Sequence, residues 1–300
     1  MITTDKTSSS FKKTWFIFKL FLLFLLLAWA SHSGLLTNAL KVLVLLDFTS
    51  ILCAFIALGL TLICGVWRWQ WILTALNLPK PSTSIGLKLY YEGLFYNTFA
   101  PGAIGGDILR AHWLRRSQEK DSKLHYFITL GERVMGLGTL AIFAIYTWFG
   151  PVYTFTYLLF AISTILALPK LIKMINQRWK TALPQKLKLS WFYYAILLNT
   201  ISHLISFASY ILIGQSLGVN LSILEWIEIL SITVFAANLP LSVGGVGPRE
   251  FALVSLLAQQ QVPHETALAI SIGAFAILVI HSLLGGLIHL LSPNQKLENH

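Results

Sequence analysis

The chain has 300 residues, of which 56% are hydrophobic and only 11% charged, and its mean hydropathy is +0.70. A water-facing surface needs about a quarter of charged residues, so a soluble enzyme and an extracellular binding module are both excluded, and the chain reads as an integral membrane protein. In such a chain the net charge of +10 reports which loops stay in the cytoplasm and does not point to a nucleic-acid partner.

A polar start bearing Lys6, Lys12 and Lys13 leads into an apolar run from Trp15 that reaches Leu36. This is long enough to cross a bilayer and reads as an uncleaved first span. The alternative is a secretory signal cut after Ala28-Trp29-Ala30. Further spans are predicted over Val42 to Val66, Leu124 to Phe149, a shorter Tyr153 to Leu168, Trp191 to Gly214 and Thr266 to Leu291. Cys53 and Cys64 share one of these runs and would lie about 16 Å apart on a helix, too far to bridge.

Two apolar regions depart from the pattern. Ile85 to Ala100 carries Lys88 and Glu92, Ile223 to Leu239 carries Glu225 and Glu228, and each runs into a Pro/Gly cluster. With the N-terminus inside, most Lys and Arg fall in cytoplasmic segments, and Lys41 is the only basic residue in a simple outer loop. Six spans with both termini cytoplasmic follow, provided that each Pro/Gly region is a re-entrant hairpin, one from each side. Eight or more kinked spans are the alternative. The basic segment at 169–190 reads as an interfacial helix on anionic lipid or as a solvated loop.

The fold class expected is therefore all-α: one transmembrane domain over residues 1–300, a polytopic helical bundle of two inverted-topology halves, each holding a broken or re-entrant hairpin. The motif at 97–116, NTFAPGAIGGDILRAHWLRR, and the one at 238–252, NLPLSVGGVGPREFA, share a pattern. Pro101, Gly105, Gly106 and Arg110 have the mutual spacing of Pro240, Gly244, Gly245 and Arg249. The proline ends an incoming helix, the glycines turn the backbone, and a half-helix begins. Asp107 suits the N-cap of the first half-helix, while Gly247 as N-cap and Pro248 at the first helical position suit the second.

Arg110 and Arg249 then stand in opening turns, where the helix dipole disfavours a cation unless an anion is present. An intramembrane arginine costs about 2.5 to 3.5 kcal/mol more at mid-bilayer. A lipid phosphate would relieve both penalties. The ligand-free alternative pairs Arg110 with Asp107 and Arg249 with Glu250. Glu132-Arg133, followed by Gly136 and Gly138, is a further intramembrane charged pair, with Arg133 a candidate site wall; self-neutralisation at the interface is its alternative.

These residues carry a resemblance. Asn97, Pro101, Gly105, Gly106, Asp107 and Arg110, then Glu132, Arg133 and Gly136, then Pro240, Ser242, Gly244, Gly245, Gly247, Arg249 and Glu250 follow one family's pattern. The chain resembles the lysylphosphatidylglycerol synthase transmembrane-region, or flippase-like, family over nearly its whole length. The resemblance implies movement or accommodation of a lipid with a phosphate headgroup, such as an aminoacylated phospholipid or a polyprenyl-phosphate-linked glycan. It implies a bacterial cytoplasmic (inner) membrane location and is compatible with a homo-oligomer. Larger synthases append a soluble aminoacyl-transferring domain, whereas this sequence ends at His300, about nine residues after its last predicted span. A partner synthase or transferase, or an already made lipid, is therefore expected.

The lipid-phosphate site is accordingly expected to comprise Arg110, Arg249, Asp107, Glu250, Glu132 and Arg133. Pro101, Gly105, Gly106, Pro240, Gly244, Gly245 and Gly247 would form its backbone turns. An intramembrane transferase on lipid phosphate, using Asp107, Glu132, Glu250 or a histidine, is the rival function, and a structural scaffold the third. His203, His281 and His289 lie in apolar spans without metal-ligand spacing and read as packing or interhelix hydrogen-bonding groups. No catalytic residue, metal or cofactor is assigned, and no ATPase motif is present.

Overall fold

The computed structural model describes residues 35–99, 105–117, 124–149, 189–239 and 245–291. The predicted first span (except its last two residues), the span at 153–168, nearly all of the basic segment at 169–190, and Pro101, Pro240 and Gly244 lie outside the described residues. Among those described, every regular element is an α-helix. In chain order these are α1 (Leu35–Leu43), α2 (Phe48–Ala75), α3 (Thr83–Phe99), α4 (Gly105–Ser117), α5 (Leu124–Phe149), α6 (Leu189–Ser216), α7 (Ile223–Asn238), α8 (Pro248–Gln259) and α9 (His264–Leu291).

Four of them, α2, α5, α6 and α9, are long and apolar enough to cross a membrane. At 26 to 28 residues they measure about 40 Å, more than the ~30 Å hydrocarbon core. Large apolar side chains on their outer faces are exposed in helical register: Leu197, Ile201 and Leu204 on α6, and Leu283, Leu287 and Leu290 on α9. Such stripes suit lipid and would be costly in water.

The span predicted at Val42 to Val66 is corrected to Phe48–Ala75. Asp47, inside the expected apolar run, is an N-cap: its carboxylate accepts from the Ser50 amide at 2.7 Å and restarts the helix after α1. That hydrogen bond holds the Asp47 carboxyl below its usual range. At the other end the helix continues through Trp67-Arg68-Trp69-Gln70-Trp71, because Trp69 and Leu73 are fully buried one turn apart.

The element order repeats. Helices of 28, 17, 13 and 26 residues (α2 to α5) are followed by helices of 28, 16, 12 and 28 (α6 to α9). The packing pairs match this order: α3 lies on α4 as α7 lies on α8, α4 on α5 as α8 on α9, and α3 on α9 as α7 on α5. At the centre α2 packs against α6. Ser202 donates to the Thr61 carbonyl, Arg68 reaches Asn199, and Trp71 meets Tyr194. The partner numbers fall as the first numbers rise, so α2 and α6 run antiparallel.

Two buried clusters flank this pair. One joins Phe207, Ile213, Trp226, Leu253, Ile270 and Ile277 around α7 and α8, and the other joins Trp69, Leu73, Trp113, Leu114 and Ile128 around α4. The α3–α4 contact is a backbone contact. A Cβ on Gly106 would stand 2.5 Å from the Gly93 Cα, so only glycine lets the two helices approach this closely. The Asn97 side chain accepts the Gly106 amide at 2.8 Å and ties the end of α3 to the start of α4.

Candidate functional site

The start of α4 builds the first half of the site. Asp107 lies in the first turn of a helix that begins at Gly105, so it is not the N-cap that the sequence suggested. Its carboxylate is taken up by side chains: Oδ1 accepts from Arg110 Nη2 at 2.6 Å, and Oδ2 accepts from Arg133 Nε at 2.6 Å. Arg110, three residues on, donates through Nη1 to Glu132 Oε2 at 2.8 Å and to the Tyr90 hydroxyl at 2.7 Å. Its guanidinium also stacks over the Tyr90 ring, 4.5 Å from the centroid.

Glu132, 3% exposed, is the hub. Besides Arg110 it faces Arg68 Nε at 3.5 Å, an electrostatic contact without hydrogen-bond geometry. Arg68 donates to Asn199 on α6, and Asn199 donates to Thr139 on α5 at 2.8 Å. One polar network thus runs from α4 through α5 and α2 to α6.

The second half is built at the start of α8. As expected from the sequence, Gly247 is the N-cap, at φ 99°, and Pro248 follows at the first helical position. Gly245 has φ 78°, and both glycines occupy backbone regions that other residues rarely adopt. Glu250 Oε2 reaches back to the Gly247 amide at 2.6 Å, while Oε1 accepts from Arg249 Nε at 3.0 Å and from Ser271 at 3.2 Å. Arg249, 2% exposed, also donates to Ser271 at 3.2 Å and lies 4.4 Å over the Phe275 ring.

The two halves correspond, with one exchange. Arg110 and Glu132 are 22 positions apart, and so are Arg249 and Ser271. A serine therefore stands in the second half where the first has a glutamate, and the neutralising carboxylate moves to the adjacent position, Glu250. Both ion pairs of the ligand-free alternative, Arg110 with Asp107 and Arg249 with Glu250, are formed.

Between the halves lies a cavity of about 230 Å³. Arg133 and Arg249 line it, and so do Asn97 at the end of α3 and Asn238 at the end of α7. Arg110, Asp107, Glu132 and Glu250 stand behind this wall and do not line it. Of the expected phosphate-site residues, then, Arg133 and Arg249 share the cavity, Asp107 and Glu250 bind them directly, and Arg110 and Glu132 stand one step further back. Sequence reasoning missed Arg68, Tyr90, Asn199 and Tyr210, the last of which also lines the cavity. An arginine within an aromatic run was the available signal for Arg68.

The histidines make interhelix hydrogen bonds. His203 Nε2 donates to the Gly136 carbonyl at 3.2 Å, and His281 Nε2 to the Phe55 carbonyl at 3.0 Å, with Tyr91 on its other nitrogen. His289 joins Tyr96, at 3.2 Å, and Glu92. Among the described residues no group of three His, Cys, Asp or Glu side chains could hold a metal ion.

Long apolar helices, lipid-facing stripes and a buried charged junction define an integral, polytopic helical membrane protein. The family model described as the lysylphosphatidylglycerol synthase TM region matches residues 16–286, and the chain belongs to this family. It is thus a membrane protein of a lipid-handling family. No curated protein and no solved structure matches the chain.

Proposed function

We propose that the protein binds a lipid with a phosphate headgroup in the cavity that α3 and α5 of the first half share with α7 and α8 of the second and moves it across the bilayer. The observation that carries this reading is the convergence of Arg133 and Arg249, from different halves of the chain, on one cavity. Guanidinium forks hold phosphate oxygens through paired hydrogen bonds, and the α8 N-terminus adds its dipole. The aligned helix lengths, the matching packing pairs and the 22-residue spacings support two inverted halves with a re-entrant pair in each. In this reading the residues form one transmembrane domain, the motifs at 97–116 and 238–252 are its repeated elements, and both termini are cytoplasmic in a bacterial inner membrane. Lipid made by a partner synthase or transferase would be its cargo.

Arg110 serves this site as a positioning residue. It clamps Asp107, and Asp107 orients Arg133. The test is native mass spectrometry of co-purified lipid, combined with lipid movement in liposomes, for the parent chain, Arg133→Ala and Arg249→Ala. Loss of both binding and movement in the folded variants is expected. Chemical conversion of the lipid would favour a transferase, and parental behaviour of both variants a scaffold.

A further inference from the structure

The cavity wall carries information about the headgroup as well as the phosphate. Its charged groups among the described residues, Arg133 and Arg249, are both cationic, and no carboxylate lines it. The nearby carboxylates do not line the cavity and are occupied. Asp107 spends one oxygen on Arg110 and the other on Arg133, and Glu250 is held by Arg249, Ser271 and the Gly247 amide. The segments 100–104 and 240–244, which adjoin the cavity-lining residues in sequence, contain no acidic residue either.

The rest of the polar wall is neutral and of mixed hydrogen-bonding sense. Asn97 uses its carbonyl oxygen on the Gly106 amide and so retains its NH2 donors, whereas Asn238 uses its NH2 on the Val234 carbonyl and retains its oxygen as an acceptor. Ser206, Ser209 and Tyr210 add hydroxyls from α6. A hydroxyl donates and accepts and can satisfy such a wall. An ammonium only donates, and the charged groups it would meet here are two guanidiniums, which also only donate and whose partner carboxylates, Asp107 and Glu250, are already engaged and do not line the cavity.

We infer that this cavity selects an anionic lipid whose phosphate carries a neutral hydroxyl-bearing group, a glycerol or a sugar, and discriminates against headgroups bearing an ammonium. This rests on the phosphate-lipid reading above and narrows it, setting aside the aminoacylated phospholipids that the family's name suggests.

The test presents the full chain, in nanodiscs, with equimolar phosphatidylglycerol, phosphatidylinositol, phosphatidylserine, phosphatidylethanolamine, lysyl-phosphatidylglycerol and phosphatidic acid, and reads retained lipid by native mass spectrometry. Phosphatidylglycerol and phosphatidylinositol are expected to exceed the three ammonium-bearing lipids by about tenfold, the worth of one charge-assisted contact. Phosphatidylserine has the net charge of phosphatidylglycerol, so it separates net charge from headgroup chemistry, and phosphatidylethanolamine, which carries an ammonium without a carboxylate, isolates the ammonium. Asn238→Ala, whose side chain bonds only within α7 among the described residues, is expected to lower phosphatidylglycerol retention toward that of phosphatidic acid. Lysyl-phosphatidylglycerol or phosphatidylserine retained as well as phosphatidylglycerol, with retention still dependent on Arg133 and Arg249, overturns the selectivity and leaves the phosphate site standing. Retention indifferent to both arginines overturns the site itself. Complete displacement by soluble glycerol phosphate would assign the cavity to a water-soluble ligand.

Discussion

Glu132→Gln tests whether the buried network holds the two halves together. The substitution keeps the shape and one acceptor oxygen but removes the charge that faces Arg110 at 2.8 Å and Arg68 at 3.5 Å. Asp107 is then left as the network's carboxylate against Arg68, Arg110 and Arg133. Removing one partner of a buried ion pair costs about 3 to 5 kcal/mol, and the hydrogen bond that glutamine still accepts returns about 1 kcal/mol. The net loss expected is about 2 to 4 kcal/mol, read by equilibrium unfolding of the purified protein in mixed micelles. Arg110→Gln in the same background should restore part of it, because the second change removes the uncompensated cation; a coupling of at least about 1.5 kcal/mol is expected. A loss under about 0.5 kcal/mol, or strictly additive losses, would refute the claim that Glu132 is the hub.

Three further outcomes are expected. Gly106→Ala drives a methyl into the Gly93 backbone, a clash that α3 and α4 can relieve only by separating; the loss should exceed the usual overpacking cost of about 1 to 3 kcal/mol, measured as yield and thermal stability in detergent. Lys80→Cys and Asn220→Cys, in exposed loops after α2 and α6, should be labelled by impermeant maleimide from the cytoplasmic and the opposite face respectively; labelling from one side would remove the inverted arrangement. The lowered Asp47 carboxyl stabilises the fold above its ordinary value of 3.8 and loses that contribution as pH falls through the lower folded value. Asp47→Asn keeps an acceptor without titrating, so an unchanged acid limb in its unfolding profile would assign the limb to other groups.

Where a pattern depends only on local order, the sequence carried it. Leu124 to Phe149 emerged with the expected bounds because a long apolar run interrupted only by the charged pair Glu132-Arg133 reads as one helix. Gly247-Pro248 read correctly as a helix start for the same reason. Asp47 misled the boundary of α2, since a lone aspartate in an apolar run is indistinguishable by hydropathy from an interior residue and becomes a cap only through the Ser50 amide. Arg68 escaped notice because its partner, Asn199, lies 131 positions away. Arg110 and Asp107 were legible as a local pair, but which arginines face the cavity follows from the packing of α5 on α7 and of α7 on α8, and no spacing encodes that.

The central claim is that a phosphate-headgroup lipid occupies the cavity lined by Arg133 and Arg249. A photoreactive benzoylphenylalanine at Tyr210, which lines that cavity, tests it directly in native membranes, with the same group at the exposed Tyr193 as the comparison. The expected result is a phosphate-containing lipid adduct at 210, identified by mass spectrometry, that is lost on Arg249→Ala and partly restored by Arg249→Lys. An absent adduct at 210, or one indifferent to Arg249 and equal to that at 193, would contradict the account.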